Sequence, residues 1–146
     1  MFIPAGTLDP ELMVKPIVLA QPEPWKMVQS DFPDDTLVHI VSDIDHELTK
    51  SRTNGWKHSG ASCVVGLGGG MALDHAKFCS WVLELPLILV PSILSVDAGY
   101  TRAVGVREGD RVKYVGDSSG SLRHIFVDYN LLQAAPPILN SAGAGD

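Results

Sequence analysis

Three consecutive glycines, Gly68, Gly69 and Gly70, follow the apolar run Ser62-Cys63-Val64-Val65-Gly66-Leu67 and lead straight into Met71-Ala72-Leu73-Asp74-His75-Ala76-Lys77. Residues without Cβ let the backbone turn sharply and let a phosphate approach the main chain. The first N–H groups of a following helix add free donors and a partial positive charge. Strand, glycine loop and helix together spell an anion cradle. A tight turn with no ligand is the competing reading, but three adjacent glycines exceed what turning requires. The remaining chemically capable side chains fall in blander settings. Asp97, ahead of Ala98-Gly99, suits a turn cap, and Asp74 reads as a structural residue of the helix. His75 and Lys77 are expected on the helix surface and His39 as a strand side chain. His46, His58 and His124 have no spacing that recommends a metal site, and Trp25, Trp56 and Trp81 read as packing residues.

Positioning such a cradle requires a strand before it and a sheet beneath it. Short apolar runs at 15–20, 36–41, 62–67 and 85–90 alternate with amphipathic or polar stretches, the pattern of βα units. Four parallel strands are expected, with helices over 25–30, 46–57 and 71–83. Ala72 and Ala76 lie four apart on one helical face, which lets the helix pack closely on the sheet and aim its N-terminus at a ligand. Beyond Pro91 the runs 103–106 and 111–115 flank Arg107-Glu108-Gly109-Asp110, a connection of hairpin length. A Gly/Ser-rich loop at 117–121, a further strand over 125–128 and a helical turn over 129–135, ended by Pro136-Pro137, complete the reading.

The 146 residues suit one domain, and 45% apolar against 19% charged residues excludes the composition of a disordered chain. Eleven basic against seventeen acidic residues give a net charge of -6, the wrong sign for nucleic acid or an anionic membrane as partner. Cys63 and Cys79 are too few for a disulfide framework and read as small buried hydrophobes, which suits a reducing cytoplasm. The start has no basic region before its apolar residues, and the stretch 81–96 is broken by Glu84, Pro86 and Pro91, short of the about 20 apolar residues a membrane helix needs.

Gly68-Gly69-Gly70 followed by Asp74 and Lys77 resembles the GGGSxxDxAK motif of the iron-containing alcohol dehydrogenase and dehydroquinate synthase-like superfamily, with Met71 in place of serine. Leu89-Val90-Pro91-Ser92-Ile93-Leu94-Ser95-Val96-Asp97 is similar to that family's "VPT" segment with its serine and aspartate, which lines the cleft beside the nicotinamide. Phe126-Val127-Asp128, then Ala135-Pro136, then Ala142-Gly143-Ala144-Gly145-Asp146 is similar to its V-D…A-P…G-x-G-D passage. These matches cover most of residues 15–146 in the family's order.

The resemblance implies a Rossmann-like α/β domain, with the family's all-helical second domain absent. It implies NAD or NADP as cofactor and, in the longer parent, a divalent metal, zinc or iron, that polarises a substrate oxygen during hydride transfer. Carried over residue by residue, Gly68, Gly69, Gly70 and the backbone of Met71 would hold the pyrophosphate. Ser92 and Ser95 would bond phosphate, ribose or carboxamide, and Asp97 would face the substrate or the nicotinamide ribose. Asp146 would open the metal site. Gln21 stands where the family often has a ribose-binding aspartate, so both cofactors stay open, with Asp43 a weaker ribose candidate. The substrate implied is a small polyol or polyol phosphate of the glycerol or glycerol-1-phosphate type, and a homo-oligomer stays open. The alternatives are a dehydroquinate synthase-like lyase domain and a nucleotide-binding module without catalysis. With its metal ligand last, the chain is expected to be a fragment that is inactive alone.

Overall fold

The computed structural model describes residues 10–95, 97–117 and 122–142. The chain enters the sheet at β1 (Pro16–Ala20), passes through α1 (Pro22–Val28), β2 (Leu37–Ile40), α2 (His46–Gly55) and β3 (Cys63–Gly68), and continues through α3 (Gly70–Leu83) to β4 (Leu87–Pro91). An antiparallel hairpin, β5 (Ala103–Glu108) and β6 (Arg111–Asp117), precedes β7 (Leu122–Ile125), α4 (Tyr129–Ala134) and α5 (Pro137–Ala142). The sheet has five parallel strands in the order β2-β1-β3-β4-β7. From the adjacent pair β1 and β3 the chain proceeds outward in opposite directions. That reversal opens a crevice at the carboxyl ends of these two strands, the place where open α/β sheets take their ligands.

Both faces of the central strands β1, β3 and β4 are covered, so these strands are buried throughout and apolar without alternation, whereas edge strand β2 alternates half-buried Leu37 and His39 with exposed Val38 and Ile40. One face packs Val18, Ala20, Val65, Leu67, Ile88 and Val90 against Val28, Phe32 and Leu131. The other packs Ile17, Leu19, Val64, Leu87 and Leu89 against Ala72, Leu73, Ala76 and Cys79 of α3. A Cβ on Gly66 would lie 2.7 Å from the Ala76 Cβ, so the small residues of β3 and α3 allow this close approach. The hairpin forms a third layer, in which Val104 and Val106 meet Phe78 on the outer side of α3. Cys63 and Cys79 are buried, and burial pushes both thiols up to about 12. Among the described residues no helix is long and apolar enough to cross a membrane.

Several expectations need correction. β7 makes a fifth parallel strand and lies at Leu122–Ile125 rather than 125–128, because the Asp128 side chain accepts from the Asn130 N–H at 2.8 Å and so caps α4 instead of extending a strand. The turn expected over 129–135 is α4, which ends at Ala134 ahead of Pro136-Pro137, but a further helix not expected from the sequence follows, because Pro137 opens α5, where a missing N–H costs nothing. α1 begins at Pro22, ahead of the expected 25, for the same reason. Residues 118–121 of the expected loop lie outside the described residues.

His75 and Lys77 are not on a surface. They are 1% and 0% exposed, because the hairpin and α2 cover the side of α3 that faces away from the sheet. Trp81, by contrast, is 42% exposed, with its ring against Phe78 and Gly116.

Candidate functional site

β3 ends in a backbone that requires glycine. Gly68 has φ +148°, and a Cβ there would sit 2.8 Å from Gln21 Oε1 and 3.0 Å from the Ala72 Cβ. Gly69 is the N-cap of α3 and has no side chain to bond the first turn, so its carbonyl begins the helix by accepting from the Leu73 N–H at 3.1 Å. A Cβ on Gly69 would come within 2.7 Å of Ile93 Cδ1. The N–H groups of Gly70, Met71 and Ala72 precede that first intrahelical bond and are the donors a helix start leaves over.

Two neighbours fix the loop. Gln21, just past β1, accepts from the Gly69 N–H through Oε1 at 2.8 Å, and the Ser92 N–H, just past β4, donates to the Gly68 carbonyl at 3.0 Å. Gly68 and Gly69 are therefore buried under Gln21, Ala72 and Ile93, and in the turn that follows them Met71 lines a cleft. That cleft, about 740 Å³ in volume, runs from Gln21, Met71, Ser92 and Ile93 to Val41 and Ser42 on one side and to Leu131 and Leu139 on the other. Its walls are mainly apolar, which suits the flat faces of a base, with Gln21 and Ser92 at the loop and Glu23, Lys26 and Ser42 along the walls.

The structure thus brings together Gln21, Gly68, Gly69, Gly70, Met71 and Ser92. Ser95 and Asp97 do not line the cleft; Ser95 is half-buried, and Asp97 is exposed at the start of a turn over Asp97–Gly99. The Asp97 carbonyl accepts from the Tyr100 N–H at 2.7 Å and the Thr101 N–H at 3.0 Å. Asp146, the expected metal ligand, lies outside the described residues. Among those residues no three His, Cys, Asp or Glu side chains converge as a metal site would require.

A match to the family model for iron-containing alcohol dehydrogenases spans residues 28–136. The chain belongs to the iron-containing alcohol dehydrogenase family. Within that family it is 32% identical over 111 residues to a glycerol-1-phosphate dehydrogenase [NAD(P)+] from Pyrobaculum neutrophilum, a match covering 76% of this chain and 32% of the relative. A second enzyme of that name, from Nitrosopumilus maritimus, is 28% identical over 112 residues, 77% of this chain and 28% of the relative. The chain therefore spans about a third of the length of these curated relatives. Among solved structures, a probable glycerol dehydrogenase from Sinorhizobium meliloti superposes with TM-score 0.74 at 19% identity, covering 90% of this chain and 38% of the other. Glycerol dehydrogenase from Schizosaccharomyces pombe gives TM-score 0.74 at 21% identity, covering 90% and 36%. The family's fold is thereby shown for this chain.

Electrostatics around this family member's cleft separate groups still available to a ligand from groups already engaged. Burial would raise the Asp43 carboxyl, but the Arg52 guanidinium, 3.3 Å away, with the Asp45 N–H and Ser42 hydroxyl, holds it below the usual value. Asp43 is engaged by protein, which weakens it further as a ribose partner. Asp74 pairs with Lys77 at 2.6 Å; burial pushes its carboxyl above the usual range, against the pull of the lysine and of the Gly105 N–H. Sequence reasoning missed Ile93 as the cover of Gly69. It also missed Asn140 of α5, whose Oδ1 accepts from the Leu94 N–H at 3.2 Å while its Nδ2 donates to the Leu132 carbonyl at 2.7 Å. Neither could be found from sequence, because Ile93 depends on the segment after β4 lying over the glycine loop and Asn140 on α5 folding back to that segment.

Proposed function

We propose that this chain is the NAD(P)-binding domain of a metal-dependent dehydrogenase acting on a small polyol or polyol phosphate and its ketone, of the glycerol-1-phosphate type. The observation that carries the reading is the loop Gly68-Gly69-Gly70, which stands at the reversal point of the sheet with the start of α3 open toward a cleft of about 740 Å³. The names of the aligned relatives supply the substrate class.

In this reading the leftover N–H groups of the first turn of α3 hold the pyrophosphate, aided by the helix dipole. Gln21 keeps the loop in shape by engaging the Gly69 N–H, and Met71 and Ile93 form apolar walls that exclude water. Ser92 adds a hydroxyl beside the loop, and Asp97, exposed and outside the cleft lining, is assigned by this reading to a nicotinamide half that extends past the end of β4. The nicotinamide, when bound, carries the hydride. The dehydrogenase names of the relatives do not favour the lyase alternative.

Titration of the chain with NADH and NADPH by calorimetry tests the proposal. Micromolar binding of at least one, weakened more than tenfold by Gly68→Val, is the expected result. Absence of binding at millimolar concentration by a folded chain rejects the proposal.

A further inference from the structure

Lys77 is the largest fully buried side chain among the described residues. An ammonium has three N–H donors, and three acceptors surround this one: Asp74 Oδ1 at 2.6 Å, the Ala103 carbonyl at 2.8 Å and the Thr101 carbonyl at 3.4 Å. The Asp74 carboxylate also accepts from the Gly105 N–H and occupies the space a Cβ on Gly105 would enter, 2.8 Å from Oδ2. The pair therefore grips one segment, residues 101–105, from both of its charged ends.

What that segment carries gives the grip its use. Thr101 is held twice: its carbonyl accepts from Lys77, while its N–H donates to the Asp97 carbonyl at 3.0 Å. The intervening Gly99 is buried, and a Cβ there would lie 3.7 Å from Leu73 Cδ1 and 4.0 Å from the Pro91 Cβ, at the end of β4. One peptide thus links the second turn of α3 to the turn that presents Asp97. Apolar packing alone would dock a hairpin on a helix at least as stably as a buried ion pair does. A set of directional bonds adds a fixed position along the helix, which packing by Val104 and Val106 leaves to slide.

We propose that Lys77 is a positioning residue whose ammonium, acting through Thr101, fixes the turn that presents Asp97 beside the end of β4. This rests on the reading that the cleft holds a dinucleotide whose nicotinamide half lies on the Asp97 side. ADP-ribose, which has the adenosine and pyrophosphate but no nicotinamide, separates the two ideas.

The test compares NADH with ADP-ribose on the chain as it stands, by calorimetry and by amide NMR. Wild type is expected to bind both, with NADH alone shifting the amide signals of Gly99, Tyr100 and Thr101. Lys77→Met is expected to lower NADH affinity about tenfold while leaving ADP-ribose within about twofold. Lys77→Arg keeps the buried charge, yet its longer planar fork cannot meet the same three acceptors, so NADH affinity falls about threefold and ADP-ribose again holds. If Lys77→Met does not fold, the arginine variant and the wild-type comparison decide. Unchanged NADH affinity in the variants, equal losses for both ligands, or no NADH-specific shift at 99–101 overturns the proposal. Failure of wild type to bind either ligand instead overturns the dinucleotide reading beneath it.

Discussion

The first and second turns of α3 are adjacent in sequence and opposite in environment. The first turn begins at Gly69 and Gly70, has no side-chain cap and opens on a cleft. The second carries Asp74, His75 and Lys77, and its charges are satisfied inside the protein by each other and by the hairpin. A single ten-residue motif therefore divides into a part left available to a ligand and a part that anchors the scaffold around it. Had Lys77 been solvated, as its charge suggests, the hairpin would lack its bond to α3. Had the first turn been capped by a serine or aspartate side chain, its donors would be satisfied and the cradle closed.

The comparison breaks most visibly at the anchor. Lys77→Met leaves the Asp74 carboxylate buried without its cation and should cost about 3–5 kcal/mol of stability, measured by urea denaturation, whereas adding Asp74→Leu recovers most of the loss. Equal stability of the single and double variants would show that the pair does not act as a unit.

A second effect comes from His75. Its ring is 1% exposed, neither nitrogen has a hydrogen-bonding partner among the described residues, and burial, with the neighbouring His39 and Arg52, lowers its pKa to about 4. The unfolded chain binds this proton near the ordinary value of about 6.5, so between about 4 and about 6.5 the unfolded state holds more protons and stability rises with pH. The contribution is fully present above about 6.5 and is lost progressively as pH falls toward about 4, amounting to about 3 kcal/mol. His75→Leu should flatten that part of the pH–stability curve; an unchanged slope would remove His75 from the account.

The close approach of α3 to the sheet gives the third prediction. Gly66→Ala places a Cβ 2.7 Å from Ala76 and should cost about 1–3 kcal/mol. Gly66 lies away from the cleft walls, so the dinucleotide affinity of the folded fraction should change less than twofold in a calorimetric titration. The smallest effect belongs to Gln21→Ala, which deprives the Gly69 N–H of its acceptor at 2.8 Å and should cost about 1 kcal/mol of stability. Its affinity for the dinucleotide should fall about threefold, because the loop is no longer held in shape. A larger loss for NADH than for ADP-ribose would move Gln21 from the loop to the nicotinamide side.

The alternation of apolar runs made the βα order readable, and the glycines located the strand-to-helix junction to within a residue. Strand β7 was placed late because Asp128 ends an apolar run that looks like strand yet caps a helix through its side chain. Helix α5 was missed because proline reads as a stop unless it falls in a first turn. The burial of His75 and Lys77 was not legible, since it depends on the hairpin folding back over α3, a contact between segments about 26 residues apart. The Asp74 and Lys77 spacing of three did carry a signal, because side chains three apart on a helix are neighbours. What covers them was the missing information.

The most direct test of the central claim follows the backbone amides of the chain by NMR while NADH or NADPH is added. The account predicts saturable, micromolar shifts largest at Gly69, Gly70, Met71 and Ala72, at the open end of α3, with Asp74 to Lys77 nearly still. Shifts centred elsewhere, or none at millimolar ligand, would contradict it.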